Sequence, residues 1–168
     1  MGVDPGLSST GYAVIDDVGG RQSVVEGGVV RTKPAEPLEH RLHTIYQDIR
    51  TVIEQFAPAA MAIEDLHTRY RNLKTAIVMG HARGVVVMAA GEAGIPVFDY
   101  EPTRAKKLVT GSGRADKEQV QRAITSQLNL PSVSKNEHVA DAFAIALCHA
   151  IIASNPAYQA QQAALGRR

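Results

Sequence analysis

The sequence predicts an α/β domain: a mixed five-stranded sheet with helices on both of its faces. Two observations carry this. Residues 1–32 read as three successive strands joined by glycine-rich turns, an antiparallel meander. From residue 37 onward helical and strand-like segments alternate, which adds further strands to the sheet and helices to cover it. With 168 residues, 45% of them hydrophobic, the chain suffices for one compact core.

Each element has a local reason. Residues 1–5 form a short buried strand that ends at Asp4-Pro5-Gly6. The run-up to Asp4 is brief, so the natural chain is expected to start slightly earlier. A Gly-Leu-Ser-Ser-Thr-Gly turn leads to a second strand at 11–17, and Gly19-Gly20 turns the chain into a third at 23–32. Between 37 and 56, apolar residues fall at 38, 42, 45, 46, 49, 52, 53 and 56, the spacing of an amphipathic helix, with Pro58 beyond its end. Residues 59–63 are a continuous apolar strand, buried on both faces, and 67–72 form a short basic turn. A long apolar helix spans 73–93. Its Gly80, Gly84 and Gly91 lower helix propensity, and close packing on a neighbour is the expected reason for them. A fifth strand at 95–100 precedes helices at 103–109, 116–128 and 137–153. The domain is thus 1–153, and 154–168, rich in Ala, Gln and Arg, reads as a flexible tail.

Composition narrows the function classes. No apolar stretch is expected to reach the roughly 20 residues needed to cross a bilayer, and no basic-then-apolar leader is visible at the start. Cys148 is the only cysteine, so no internal disulfide forms, in keeping with a reducing cytoplasm. No membrane partner is expected. A net charge of +1 gives no global attraction to nucleic acid, so a DNA-binding face must arise from local clustering. His40, His43, His67, His81 and His149 show no ligand spacing with cysteine or with one another, which excludes a zinc site.

Four side chains suggest another kind of metal site. Asp4 ends the first strand. By itself it is as easily a turn aspartate before proline. Glu64 follows the apolar run 59–63 on a buried strand, where an uncompensated carboxylate is costly, so a basic partner or a cation is expected to satisfy it. Asp65 points to the other face by strand alternation. His138 and Asp141 lie three apart on the last helix and share a face. Alone, His138 reads more readily as a solvated first-turn residue, and Asp141 could be an acid at a helix N-terminus. The apolar surroundings of Asp141 in Val-Ala-Asp-Ala-Phe-Ala-Ile-Ala-Leu imply burial instead. If the four converge, the chemistry is phosphate-ester cleavage or transfer.

In this order along residues 1–153, Asp-Pro-Gly-Leu-Ser-Ser-Thr-Gly-Tyr, the Ile-Glu strand end, Gly-His-Ala-Arg-Gly, Arg-Ala-Asp-Lys-Glu-Gln-Val and His-Val-Ala-Asp-Ala-Phe-Ala-Ile-Ala-Leu-Cys-His-Ala resemble the RuvC family of Holliday-junction resolvases. The resemblance implies a ribonuclease-H-like fold, a homodimer, and divalent-metal-dependent nicking of two strands of a four-way DNA junction. It implies cooperation with the branch-migration proteins RuvA and RuvB, and a catalytic quartet at Asp4, Glu64, His138 and Asp141. Two departures stand out. Many members carry Asp where this chain has His138, though some carry His. The loop after Glu64 looks one residue longer, placing His67 where the family commonly has a phenylalanine at the junction centre, with Tyr70 the nearest aromatic.

Phosphodiester hydrolysis needs an activated water on one side of phosphorus and a stabilised leaving oxygen on the other, which two cations about 4 Å apart supply together. Carboxylates suit Mg²⁺ or Mn²⁺. Asp4 is the candidate to bridge two ions, Glu64 to hold the one beside the leaving group, and Asp141 the one carrying the nucleophile. His138 brings neutral imidazole, which favours Mn²⁺ or a role as proton acceptor.

Positive charge clusters beside these elements: Arg69, Arg71 and Lys74 after Glu64, and Arg104, Lys106, Lys107, Arg114 and Lys117 around Gly111-Ser112-Gly113. Solvated helix faces are the commoner fate of such residues, but a glycine loop also lets backbone approach phosphate. Lys106 and Lys117 match basic positions that the family uses for DNA. Two rivals remain at this stage. One is another ribonuclease-H-like or kinase-like phosphoryl-transfer enzyme, hinted at by Ser8-Ser9-Thr10-Gly11 but lacking a nucleotide site. The other is a non-catalytic junction-binding protein.

Overall fold

The strands are β1 (Gly2–Asp4), β2 (Ser9–Val18), β3 (Arg21–Arg31), β4 (Met61–Glu64) and β5 (Val97–Tyr100). The helices are α1 (Leu38–Phe56), α2 (Leu73–Glu92), α3 (Pro102–Thr110), α4 (Lys117–Gln127) and α5 (Glu137–Ala153). The structure, a computed structural model, describes residues 1–65, 73–130 and 136–157. The element order matches the sequence-based expectation, with no end differing by more than two residues. Most of the expected tail, 158–168, lies outside the described residues.

One sheet of order β3-β2-β1-β4-β5 organises the domain. β1, β2 and β3 are antiparallel, whereas β4 and β5 run parallel to β1. The change of direction has a topological cause. β1 to β3 are joined by tight turns, while β4 and β5 are each reached through a helix that carries the chain back across the sheet. β1 is therefore central although it is only three residues long.

Strand alternation sorts the core into two layers. Val3, Val14, Met61 and Ile63 face α1 and α2, where Ile45, Ile49, Ala82, Val86 and Ala90 meet them. Ala13, on the opposite face, packs with α5 and with α4 through Val120 and Ile124. Ala62 and Tyr100 pack with Ala105 of α3 and with Ile145 and Cys148 of α5. Gly2 and Asp4 share the α5 side, since they alternate with Val3.

α5 lies unusually close to the sheet. A Cβ at Gly2 would stand 2.3 Å from the Ala142 carbonyl oxygen, and one at Gly11 would stand 1.9 Å from that of His138. Those two glycines admit the helix backbone where any side chain would push it away.

α2 corrects two expectations. At 20 residues it is long and apolar enough, by length and composition alone, to cross a membrane. Its few polar residues are spread along its length, so its mean hydropathy stays high although its apolar residues are interrupted. Here Ala82, Val86, Ala89 and Ala90 of α2 are buried in the domain core. Close packing within the protomer does not explain Gly84 and Gly91 either, because a Cβ at each would meet open space. Those glycines belong to an outward stripe on which Leu73, Ile77 and Met88 are 74%, 52% and 51% exposed.

Candidate active site

The four sequence-predicted residues come to one end of the sheet on its α5 side. Gly2 pairs with Ala62 and Val3 with Ile63 in parallel register, so the next step along both strands sets Asp4 beside Glu64. Both carboxyls alternate with residues of the α1–α2 core, Val3 and Ile63, and so emerge on the other face. α5 begins at Asn136, whose side chain caps it by accepting from the His138 backbone N–H at 3.0 Å. Three residues after His138, Asp141 lies on the face that meets the cleft between α3, α4 and α5.

The contacts show what kind of site this is. His138 Nδ1 lies 2.7 Å from Asp4 Oδ2, and Asp4 is only 7% exposed. Glu64 stands beside Asp4 at the end of the neighbouring strand, close enough for the two carboxyls to influence one another. Burial pushes the Glu64 carboxyl up to about 8, and repulsion from Asp4 and then Asp141 adds to it. Asp141 is raised as well, first by burial and then by the Asp4 charge. Lys106 opposes both shifts. This is a pocket with more negative charge than its neighbours compensate, which raises the Glu64 and Asp141 carboxyls together.

That excess is the sense in which the site fits a divalent cation. Three carboxyls and one imidazole form a hard-to-borderline donor set, and a cation would offset their mutual repulsion. Among the described residues, no three His, Cys, Asp or Glu side chains already converge on a single ion position. Asp4 is instead engaged with His138 and Glu64.

The predicted DNA-facing cations separate into groups. Lys106 is half-buried and lines the cleft with Glu64 and Asp141, and Lys117 joins it at the mouth. Arg104 lies over the Tyr100 ring, 5.8 Å from its centroid. Lys107 and Arg114 are exposed and are absent from the lining of the cleft, and Lys74 is exposed at the start of α2. Arg69 and Arg71, like His67 and Tyr70, lie outside the described residues.

Sequence reasoning missed several supporting residues. Thr10, fully buried, donates its hydroxyl to the Gly6 carbonyl at 2.8 Å and accepts from the Gly6 N–H at 3.2 Å, closing the loop that follows Asp4. The Ser8–Gly11 turn signal marked this position, but the Thr10 hydroxyl serves the loop itself. Arg41 of α1 reaches the same loop, donating to Thr32 Oγ1 at 2.9 Å and to Ser8 Oγ at 3.0 Å, while the Thr32 hydroxyl donates to the Leu7 carbonyl at 2.5 Å. Nothing in the sequence pattern of α1 reveals that reach. Glu137, paired with Lys117, also lines the cleft.

Residues 1–149 match the family model described as "Crossover junction endodeoxyribonuclease RuvC". The chain belongs to the RuvC family. A curated relative of that name from Rhodopirellula baltica is 49% identical over 160 residues, covering 95% of this chain and 90% of the relative. Another, from Moorella thermoacetica, is 41% identical over 167 residues, with 99% and 98% covered. Among solved structures, T. thermophilus RuvC in complex with Holliday junction substrate superposes with a TM-score of 0.86 at 37% identity, covering 91% of this chain and 93% of that one. The yeast mitochondrial Holliday junction resolvase Ydc2, at 15% identity and a TM-score of 0.61, shares the fold. The ribonuclease-H-like architecture expected from the RuvC resemblance is the one observed.

Proposed function

We propose that this chain is a structure-selective endodeoxyribonuclease that resolves Holliday junctions by paired, symmetric nicks during recombination and repair. Asp4, Glu64, His138 and Asp141 are its divalent-metal site. The observation that carries this reading is that those four residues lie at one end of the sheet, with an uncompensated acidic charge, in a chain of the RuvC family.

In this reading the metal is Mg²⁺ or Mn²⁺, two ions per site, and when bound it supplies activation of water and stabilisation of the leaving oxygen. The protein's part is positioning. Asp4 offers its carboxylate from the rigid centre of the sheet, where Thr10 closes the loop behind it. Glu64 holds the position next along the sheet, and Asp141 approaches from α5. His138 orients Asp4 through its Nδ1 and keeps one nitrogen free to bind a cation or accept a proton. Lys106 and Lys117 receive phosphates of the strand entering the cleft. Arg104, Lys107, Arg114 and Lys74 extend the basic surface along the DNA, and Arg69 and Arg71, close to Glu64 in sequence, are further candidates for phosphate contact.

Paired nicks need two sites, and a symmetric dimer provides them. The outward stripe of α2, with Leu73, Ile77, Gly84, Met88 and Gly91, is the dimer face in this reading, because small and apolar residues there let two helices approach. RuvA and RuvB are the partners that the family implies, and the cytoplasm is where such DNA is met.

The test is a nicking assay on a synthetic four-way junction and on linear duplex, with Mg²⁺, Mn²⁺ or chelator. Junction-selective nicking that chelator abolishes is expected, and Asp4→Asn removes cleavage while junction binding stays within about twofold. Junction binding with no nicking under either metal would turn the reading into that of a non-catalytic binder.

A further inference from the structure

One acidic side chain at the site is outside the quartet and holds one of the proposed DNA-facing lysines. Glu137 is the first residue of α5, and its Oε2 accepts from Lys117 Nζ, the first residue of α4. Both side chains line the cleft that also holds Lys106, Gln121 and Asp141. Glu137 and Asp141 are four apart on α5, so they stand one above the other on its cleft-facing side. Both members of the pair are well exposed, at 70% for Lys117 and 59% for Glu137. An exposed pair of this kind is held weakly and exchanges readily for a competing anion.

We propose that Glu137 occupies Lys117 as a stand-in for a DNA phosphate, so that Lys117 is surrendered only to a strand that enters the cleft. The contact is a brake on DNA binding and a contributor to selectivity for a junction strand that reaches the site. A carboxylate and a phosphate diester present the same feature to an ammonium group: anionic oxygens able to accept its hydrogen bonds. When the strand enters, Lys117 exchanges one anion for the other, and Glu137 is released to water, where its exposure makes solvation easy. The release costs little, but it is charged against every binding event that uses Lys117. The pair also ties the N-termini of α4 and α5 together, which keeps Lys117 at the mouth of the cleft and not extended into solvent.

The inference rests on the proposed junction-binding function, and the experiment separates the two. Junction binding is measured at low salt for the wild type, Glu137→Gln, Lys117→Gln and the double variant. Glu137→Gln is expected to tighten binding about two- to fivefold, the range of an exposed ion pair. In the Lys117→Gln background the same change is expected to give no gain. Glu137→Asp keeps the charge but shortens the reach to Lys117, and is expected to show most of the gain of Glu137→Gln. A gain that persists without Lys117, or that is absent in Glu137→Asp, makes Glu137 a source of general repulsion and overturns the proposal. So does unchanged or weaker binding by Glu137→Gln in a protein whose thermal midpoint is retained. A wild type that binds no junction at all would instead remove the functional reading beneath it.

Discussion

The two helical layers treat the sheet in opposite ways. α5 is pressed so close to β1 and β2 that Gly2 and Gly11 have no room for a methyl group, and ten of its seventeen residues are buried. α2 packs one face only, with four of its twenty residues buried, and leaves Gly84 and Gly91 over open space. Close approach at α5 fixes His138 and Asp141 against Asp4, where a small error in position would matter to chemistry. The loose outer side of α2 fixes nothing inside the protomer, and is suited to meeting another surface. Glycine therefore signals two different things in one chain: a neighbour already present at Gly11, and room for one at Gly84.

The largest expected effect breaks the tight layer. Gly11→Ala puts a methyl into the His138 carbonyl, so α5 must shift; destabilisation of about 1–3 kcal/mol or more is expected, and cleavage should fall by at least about tenfold more than junction binding. Urea denaturation and the nicking assay measure the two parts. A fully active, equally stable Gly11→Ala protein would mean that the helix is not held where the structure places it.

Next in size is the test of the loose layer. Ile77→Glu with Met88→Glu should convert a dimer into a folded monomer, read by sedimentation, with paired nicking lost. Gly84→Ala offers the opposite sign to Gly11→Ala, since helix propensity alone should stabilise the protomer by up to about 1 kcal/mol. A loss of stability that depends on protein concentration would instead show that Gly84 needs its space for a partner.

The acidic pocket gives a pH effect of intermediate size. Burial and the neighbouring acids push the Glu64 carboxyl up to about 8, well above the ordinary 4.5 of a glutamate. Between those two values the unfolded chain has already released the proton, so the native state binds more protons and stability falls as pH rises. The slope from this group is at most about 1.4 kcal/mol per pH unit, and Asp141 adds in the same direction. Melting curves without metal should show the decline, Glu64→Gln should reduce it, and Mg²⁺ or Mn²⁺ should flatten it. A metal-independent curve would argue against a cation at these carboxyls.

The smallest expected effects are on metal choice and salt. His138→Asp replaces imidazole by a carboxylate and should shift the ratio of Mn²⁺- to Mg²⁺-supported cleavage toward Mg²⁺; an unchanged ratio would remove His138 from metal selection. Lys106→Gln should lower the salt slope of junction binding by about 1.

How much of this was legible beforehand follows from the range of each interaction. The amphipathic spacing of α1 and the apolar run of β4 come from period and composition, and both survive in the structure with small changes at their ends. The quartet was legible as residue types at strand ends and at helical spacing, and as motifs of the RuvC family. Its electrostatics were not. The rise of the Glu64 carboxyl depends on burial and on Asp4 and Asp141, residues distant in sequence. The basic residues read as two clusters, yet the structure turns Lys106 and Lys117 to the cleft and Arg104 onto Tyr100, because neighbouring positions on a helix point in different directions. Arg41 was missed for a similar reason: it holds the Asp4 loop from thirty-three residues away.

By itself, then, the sequence determined the order of elements, the sheet's mixed character and the identity of four candidate site residues, since local periodicity and residue chemistry are written in short stretches of chain. Tertiary structure alone decided that β1 lies at the centre, that glycines at 2 and 11 admit α5, that Glu137 holds Lys117, and that α2 leaves a face open. Those features depend on which distant surfaces meet, and on how closely two backbones can approach.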